Sequence, residues 1–381
     1  MKILFNCTTN VVGGGVKNSA LFIKYISNSK DVSLSIACSR EVFDLLESWG
    51  ELVDKCTVIE PSPARSLLAR KKLKSFENKI KPDLVYTMAG PSYVRFRAKH
   101  VLGISNPYIT HAGIKDIIFG KRLLSSLAQI PGIVYKLVRA KLEGDFFLFQ
   151  TDVSRNGFCR RVGVSKEVTH VVSNATDLAS LPDSKSFAEA EKEIEKVQGS
   201  KHVILSPAAP YSHKALETLP FVAKELLKLR GEDFKIRLTI PKSHPIWLKV
   251  KSLATSLNVE FAIETIGSYS YSDMPMVYGP SKVVYIPSIL ETFSGTYLEA
   301  LSFRKPLIVA KRDFAKDICA SAAVYVEPTA HREVAERLSE FLDARFSFEK
   351  LSGNASAILS RYGSQESRAD LIVDFLKSKV S

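Results

Sequence analysis

Two carboxylates, Glu291 and Glu299, stand eight positions apart in the stretch VVYIPSILETFSGTYLEALSFRKP at 283–306. The apolar run 283–286 predicts a strand, and Pro287 and Ser288 a turn. A helix is expected after Glu291, with Glu299 in its first turn and Pro306 shortly past its end. In an open α/β sheet, ligands bind beyond the carboxyl ends of the strands. A carboxylate on the strand-end loop and one on the next helix can therefore converge on one ligand. Ser294, Gly295 and Thr296 lie between the two glutamates, so free N–H groups at a helix start also face that site. Simpler readings stand beside this one. Thr296 and Glu299 fit a T-x-x-E capping box, and a first-turn glutamate is favoured by the helix dipole. Capping and ligand binding both stay open for Glu299, and a solvated surface position is the alternative for Glu291.

Three further positions suit a charged ligand. Lys214 is expected at the start of a long amphipathic helix reaching Leu229, where a lysine opposes the dipole. A cation in that position implies an anionic partner, with phosphate the obvious one. Gly13, Gly14 and Gly15 separate a first strand at 2–7 from a first helix at 16–27. Glycines there let the backbone approach a ligand closely at a helix N-terminus. The pattern is not G-x-G-x-x-G, so the dinucleotide fingerprint is absent and a tight turn is the alternative. His111 is expected at the carboxyl end of a strand over 107–111, again on the ligand side; a structural or solvated histidine is the competing reading.

The elements that must position these residues alternate along the chain. Apolar runs near 32–37, 56–59, 83–88, 145–150 and 168–172 predict strands separated by helices at 41–49, up to Ile80, and at 152–162. The pattern resumes with strands at 202–205, 235–240, 259–263 and 282–286, and ends in helices at 332–342, 348–360 and 366–380. Strands alternating with helices imply parallel sheets. A chain of 381 residues suits two such domains. The charged segment 181–198 reads as the connector or the first excursion of the second domain.

Hydrophobic residues make up 45% and charged residues 24%, an ordinary globular composition. Five scattered cysteines with no C-x-x-C pair argue against a disulfide framework and a zinc site. Only Ile3, Leu4 and Phe5 follow Lys2 before Asn6, too short for a signal-peptide core. No segment approaches the ~20 apolar residues of a membrane span. A cytoplasmic location, or attachment to the inner face of the cytoplasmic membrane, is the expectation. Residues 1–180 hold 26 Lys and Arg against 15 Asp and Glu, a net charge of +11, whereas the remainder is nearly balanced at +2. The excess gathers at 65–81 and 115–141, the latter interleaved with apolar residues. Basic residues beside an apolar face suit an anionic membrane surface. A core-facing helix with a solvated basic back would look the same. No recognisable nucleic-acid module accompanies the charge, so nucleic acid is not an expected partner.

The residues Pro287-Ser288, Glu291, Phe293, Gly295, Glu299-Ala300 and the strand Pro306 to Ala310 resemble the E-x7-E region of retaining glycosyltransferases of family 4. The continuation to Val326-Glu327-Pro328 is similar to the segment that follows the motif in that family. The resemblance is strong over 282–328, moderate over 145–214 and weak over 38–106, where an acceptor would bind. It implies the GT-B fold, two Rossmann-like doubly wound domains facing a central cleft. These would be an N-terminal domain at 1–178 on the acceptor and membrane side and a donor-binding domain at 179–364. A C-terminal helix at 365–381 would cross back to the first. By the resemblance, Glu299 bonds the nucleotide ribose, Lys214 the donor diphosphate, and Gly14 and Gly15 lie near the phosphates. Glu291 and His111 act at the donor sugar, with backbone amides from Phe293 through Ser294 and Gly295 to Thr296 on its hydroxyls. One departure stands out: the family's arginine five positions before the lysine is Ala209 here.

The function so implied is transfer of a sugar, with retention, from a nucleoside-diphosphate sugar to a membrane-associated glycan or lipid-linked acceptor, of the polysaccharide or lipopolysaccharide type. No cofactor is expected, and no metal either, since no D-x-D run is present. A catalytically silent nucleotide-sugar-binding or scaffold protein remains an alternative, as do a soluble polysaccharide synthase and another GT-B enzyme such as a sugar-nucleotide epimerase or phosphorylase.

Overall fold

The computed structural model describes residues 1–27, 31–51, 54–119, 127–175, 202–270, 273–343 and 349–380. The chain divides into two units. The first comprises Met1–Gly113, Leu123–Ala175 and Ser364–Ser381, and the second Ile114–Arg122 and Thr176–Gly363. The expected connector at 181–198, the expected boundary after residue 178, and Lys121 and Arg122 of the second basic cluster lie outside the described residues.

The first unit contains β1 (Lys2–Cys7), α1 (Gly14–Ile26), β2 (Ser33–Cys38), α2 (Arg40–Ser48), β3 (Cys56–Val58), α3 (Leu67–Ile80) and β4 (Leu84–Thr87). Then follow β5 (Lys99–Gly103), the short α4 (Pro107–Thr110), α5 (Ile114–Ile118, grouped with the second unit), α6 (Ile130–Glu143), β6 (Phe146–Phe149), α7 (Asp152–Val162) and β7 (Thr169–Val171). All seven strands run parallel in the order β3-β2-β1-β4-β5-β6-β7. Strand runs such as KILFNC are apolar at nearly every position because helices cover both faces of a parallel sheet. Ile3 and Phe5 pack on one face with Phe22 and Tyr86, and Leu4 on the other with Leu73 and Val85.

The second unit runs through β8 (His202–Ser206), α8 (Leu219–Arg230), β9 (Phe234–Leu238), α9 (Pro245–Ser256), β10 (Ile263–Thr265), α10 (Met274–Tyr278) and β11 (Ser281–Ile286). It continues with α11 (Gly295–Ser302), β12 (Leu307–Ala310), α12 (Asp313–Cys319), β13 (Val324–Val326), α13 (His331–Leu342) and α14 (Glu349–Tyr362). Its six parallel strands are ordered β10-β9-β8-β11-β12-β13. Successive side chains alternate between faces: Val283 and Tyr285 enter one core, Val284 and Ile286 the other. The last helix, α15 (Gln365–Lys377), opens on a Ser364 capping box and packs Ala369, Ile372, Val373 and Leu376 into the core of the first unit.

One expected strand is a helix. Residues 107–111 were expected to be extended, but Asn106 accepts from the Tyr108 N–H and Pro107 occupies the first helical turn, which together start α4. The strand of this region is β5, and His111 ends the short helix that follows it.

Candidate functional site

In each sheet the strand order reverses once, between β1 and β4 in the first and between β8 and β11 in the second. Such a switch point opens a crevice at the carboxyl ends of the two strands, because the connections leave to opposite sides. Around the second one, the loops after β8 and β11 carry the charged residues singled out in the sequence. The Ile289 N–H donates to the His213 carbonyl at 2.9 Å, joining the two loops.

Lys214 and Glu291 meet there. The Lys214 ammonium donates to Glu291 Oε1, and both side chains are about nine-tenths buried. Lys214 does not begin the long helix as expected. It ends a single 3-10 turn, Ser212–Lys214, after which Ala215 takes a left-handed conformation with φ 53°. A second turn follows before α8 starts at Leu219, pinned by Pro220. The anionic partner that its placement called for is, in this state, the Glu291 carboxylate. Two opposite charges withdrawn from water hold each other in place, and removing one would leave the other uncompensated at a cost of about 3–5 kcal/mol. Tyr211, stacked on His213 with centroids 5.3 Å apart, has its phenol pKa raised by burial and by the Glu291 charge. The Ser206 and Ser288 hydroxyls, at the ends of the same two strands, are buried with no hydrogen-bond partner among the described residues. Such groups can bond a ligand without first giving up a protein contact.

The second carboxylate is not a cap. Helix α11 begins at Gly295 with Ser294 as its N-cap, and no acidic residue falls in its first turn. Glu299 is therefore one turn deeper than expected, and the T-x-x-E box does not form because Thr296 is already inside the helix. Instead the Thr296 hydroxyl pairs with Ser294 Oγ at 2.8 Å, so Ser294 makes no side-chain cap. The first N–H groups of α11 are left for other acceptors. Phe293 turns its ring into the core against Tyr362, at 5.4 Å, so only its backbone can face a ligand. Glu299 Oε2 accepts a 2.8 Å hydrogen bond from the Tyr278 hydroxyl. Burial and the Glu299 charge push the Tyr278 phenol far up and keep it a donor. Its ring stacks on Phe303 at 4.9 Å, which fixes the hydroxyl's position.

In the first unit, Gly14 and Gly15 open α1. The backbone need for glycine is at Gly13, the N-cap, with φ 62° and ψ −147°. A side chain at Gly14 would meet nothing within 4 Å, whereas one at Gly15 would touch Asn10. The unit's own packing does not require glycine at position 14. His111 is half-buried, its Nδ1 2.9 Å from Thr110 Oγ1. Helix α7 seats it: Gly157 passes so close that an added Cβ would lie 2.5 Å from the Thr110 carbonyl oxygen and 2.8 Å from His111 Cβ. The Arg161 guanidinium donates to the Tyr108 and Ala112 carbonyls on either side of the histidine.

Sequence reasoning missed four contributors. Gly157, in a helix interior where glycine is unfavourable, was the one with a readable signal. Tyr278 and Arg161 look like ordinary core and surface residues until their partners are known. The fourth is a pair beyond the ends of β12 and β13, where Arg312 donates bidentately to Glu327 at 2.7 and 2.9 Å. Among the described residues, no group of three or more His, Cys, Asp or Glu could hold a metal ion.

Residues 187–357 match the family model "Glycosyl transferases group 1". The matched segment falls within the second unit. It contains Lys214, Glu291 and Glu299. No curated protein matches the chain. Among solved structures it is similar to sucrose-phosphate synthase from Thermosynechococcus elongatus (TM-score 0.77, 13% identity, 99% of this chain and 98% of that one). It is also similar to Anabaena HepE crystallised with UDP and glucose (TM-score 0.75, 16% identity, 99% and 100%). A glycosyltransferase from Rickettsia africae matches with TM-score 0.74 and 16% identity over 99% and 98%. At such identities the likeness is one of fold, and the fold is GT-B, with two parallel-sheet Rossmann-like units. Among the described residues, no helix is long and apolar enough to cross a membrane.

Proposed function

We propose that the chain is a retaining glycosyltransferase of family 4 that moves a sugar from a nucleoside-diphosphate sugar to a membrane-associated glycan or lipid-linked acceptor. The observation that carries this reading is the buried Lys214–Glu291 pair at the switch point of the glycosyltransferase domain, beside the uncapped start of α11. The HepE structure holding UDP and glucose supports a nucleotide-sugar donor.

In this reading the donor exchanges counterions with the protein. Its diphosphate takes Lys214, and the freed Glu291 carboxylate turns to the sugar. As the bond from the anomeric carbon to phosphate breaks, negative charge grows on the departing diphosphate. Lys214 and the N–H groups at the start of α11 are already aimed at it. The acceptor hydroxyl oxygen forms the new bond on the same face of the sugar, and its proton leaves to the diphosphate oxygen. Glu291 and His111 steady the positive charge that develops on the sugar. Glu299, held by Tyr278, takes the ribose hydroxyls. Gly14 and Gly15 admit the phosphates close to the backbone. All these roles use the chain's own side chains and backbone, without cofactor or metal. The acceptor falls to the first unit, whose charge excess suits the inner face of the cytoplasmic membrane.

Ala209 favours a second reading, a protein that binds the donor without transferring it, because the cation expected there is missing and the position is exposed. A thermal-shift panel of UDP, GDP, ADP, CMP and dTDP sugars on wild type and Glu299→Ala, followed by donor turnover, separates the readings. A specific upshift that the variant loses, together with turnover, supports the transferase. An upshift with neither transfer nor donor hydrolysis supports the silent binder. No upshift with any of them contradicts the donor site.

A further inference from the structure

Two segments far apart in sequence meet on the first unit through three side chains. The Arg70 guanidinium lies over the Tyr93 ring at 5.4 Å, and Tyr93 in turn stacks on Tyr135 of α6 with centroids 6.2 Å apart. This links the first turns of α3 to the outer face of α6. On that face Ile130, Val134, Tyr135, Val138 and Leu142 form an apolar band, while Ile133, Leu137 and Ala140 turn the opposite side into the core. On α3, Leu67 and Leu68 point outward, each followed one turn later by an exposed lysine, Lys71 and Lys72. These seven apolar side chains are each between 40% and 71% exposed.

The charge around them is of one sign. The sole acidic residue of α3, Glu77, is buried, receiving the N–H groups of Arg97 and Ala98 and the Lys74 ammonium. The sole acidic residue of α6, Glu143, is buried too, taken up by Arg139, the Ser92 hydroxyl and the N–H groups of Ser92 and Tyr93. The outer face of α3 therefore presents leucines and lysines and that of α6 an apolar band, and neither helix exposes an acidic residue. A soluble protein rarely exposes so continuous an apolar area without a use for it. Aliphatic rows fringed by long cationic side chains suit the boundary between acyl chains and anionic headgroups, where the apolar residues enter and the lysines remain at the phosphates.

We infer that the outer faces of α3 and α6 form one docking surface for an anionic lipid bilayer. This deepens the proposed use of a membrane-associated acceptor by naming the surface. Vesicle binding needs no donor, so its failure is distinguishable from failure of the transferase reading.

The test is sedimentation of the full chain with vesicles of phosphatidylcholine alone and of an equal mixture with phosphatidylglycerol. Wild type should sediment with the anionic vesicles only, and less so at high salt. Lys71→Glu with Lys72→Glu, and separately Val134→Glu with Val138→Glu, should each lower the partition coefficient at least about tenfold without altering the melting temperature. Reversal of two exposed lysines on the second unit, Lys242→Glu with Lys251→Glu, should leave it unchanged. The proposal is overturned if wild type stays in the supernatant, or if the control pair loses as much binding as the others. It also falls if Val134→Glu with Val138→Glu converts a lipid-free dimer to monomer, since the face would then belong to a second copy.

Discussion

The two switch points have the same topology and opposite chemistry. Between β1 and β4, the polar groups satisfy one another without a net charge. The Asn6 amide donates to Thr87 Oγ1 at 3.0 Å, and Thr87 Oγ1 lies 2.8 Å from His100 Nε2. His100 Nδ1 lies 3.0 Å from the Glu143 carbonyl, which can only accept, so Nδ1 carries the proton and Nε2 accepts from Thr87. Nearby, Asn10 donates to Ser19 Oγ at 2.6 Å, and Ser19 to the Gly15 carbonyl at 2.8 Å. Between β8 and β11, a buried lysine and glutamate hold opposite full charges, an adjacent helix start is uncapped, and two serine hydroxyls are without protein partners among the described residues. The fold supplies a crevice in both places. Both have a helix start without a side-chain cap, but the second alone carries a buried pair of full charges among these groups, which is why function has to be argued from the residues and not from the architecture.

The comparison can be broken at either end. The largest effect is expected at the charged point. Glu291→Gln should lower the rate of sugar transfer by about two orders of magnitude, measured as turnover at saturating donor, because charge complementarity to the developing cation is lost. At the neutral point the expected effect is on stability. Burial depresses the His100 pKa to about 4, from the 6.5 ordinary for histidine. In that window the unfolded chain binds the extra proton and the folded one does not, so stability is full above the unfolded value and falls as the pH drops toward 4. By about pH 5 the loss should reach roughly 2 kcal/mol, read from the melting transition of the first unit, with a shallower dependence in His100→Gln. A charged, exposed histidine would show no such fall. The smallest effect concerns Tyr278. Tyr278→Phe keeps the ring and removes one hydrogen bond, so the donor KM should rise about five- to tenfold with kcat preserved. A fall in kcat with KM unchanged would place Tyr278 in some other role.

Much of this was legible in the chain. The strand at 2–7 and the helix at 152–162 have the expected bounds, since uninterrupted apolar runs and a Thr151 cap are strong local signals. Glu291 was singled out by charge type and loop position, and Lys214 by its charge at an expected helix start. Their mutual contact was not readable, because it joins adjacent strands 77 residues apart. Three local readings failed where short-range backbone chemistry outweighed pattern. Asn106-Pro107 began a helix in an apolar stretch that looked like a strand. Ala215 in the left-handed region detached Lys214 from α8. Ser294 took the cap position, which left Glu299 beyond the first turn where it was expected. The meeting of α3 with α6 depends on Tyr93, a residue with no sequence signal of its own.

Calorimetric binding of the cognate nucleoside diphosphate, without sugar, to wild type and Glu291→Gln tests the counterion exchange most directly. If Lys214 is the phosphate ligand and Glu291 its stand-in partner, the variant should bind the diphosphate as tightly as wild type or tighter, even though its transfer rate collapses. Diphosphate binding that weakens tenfold or more in Glu291→Gln would contradict the account, since Glu291 would then be holding Lys214 in place and not yielding it.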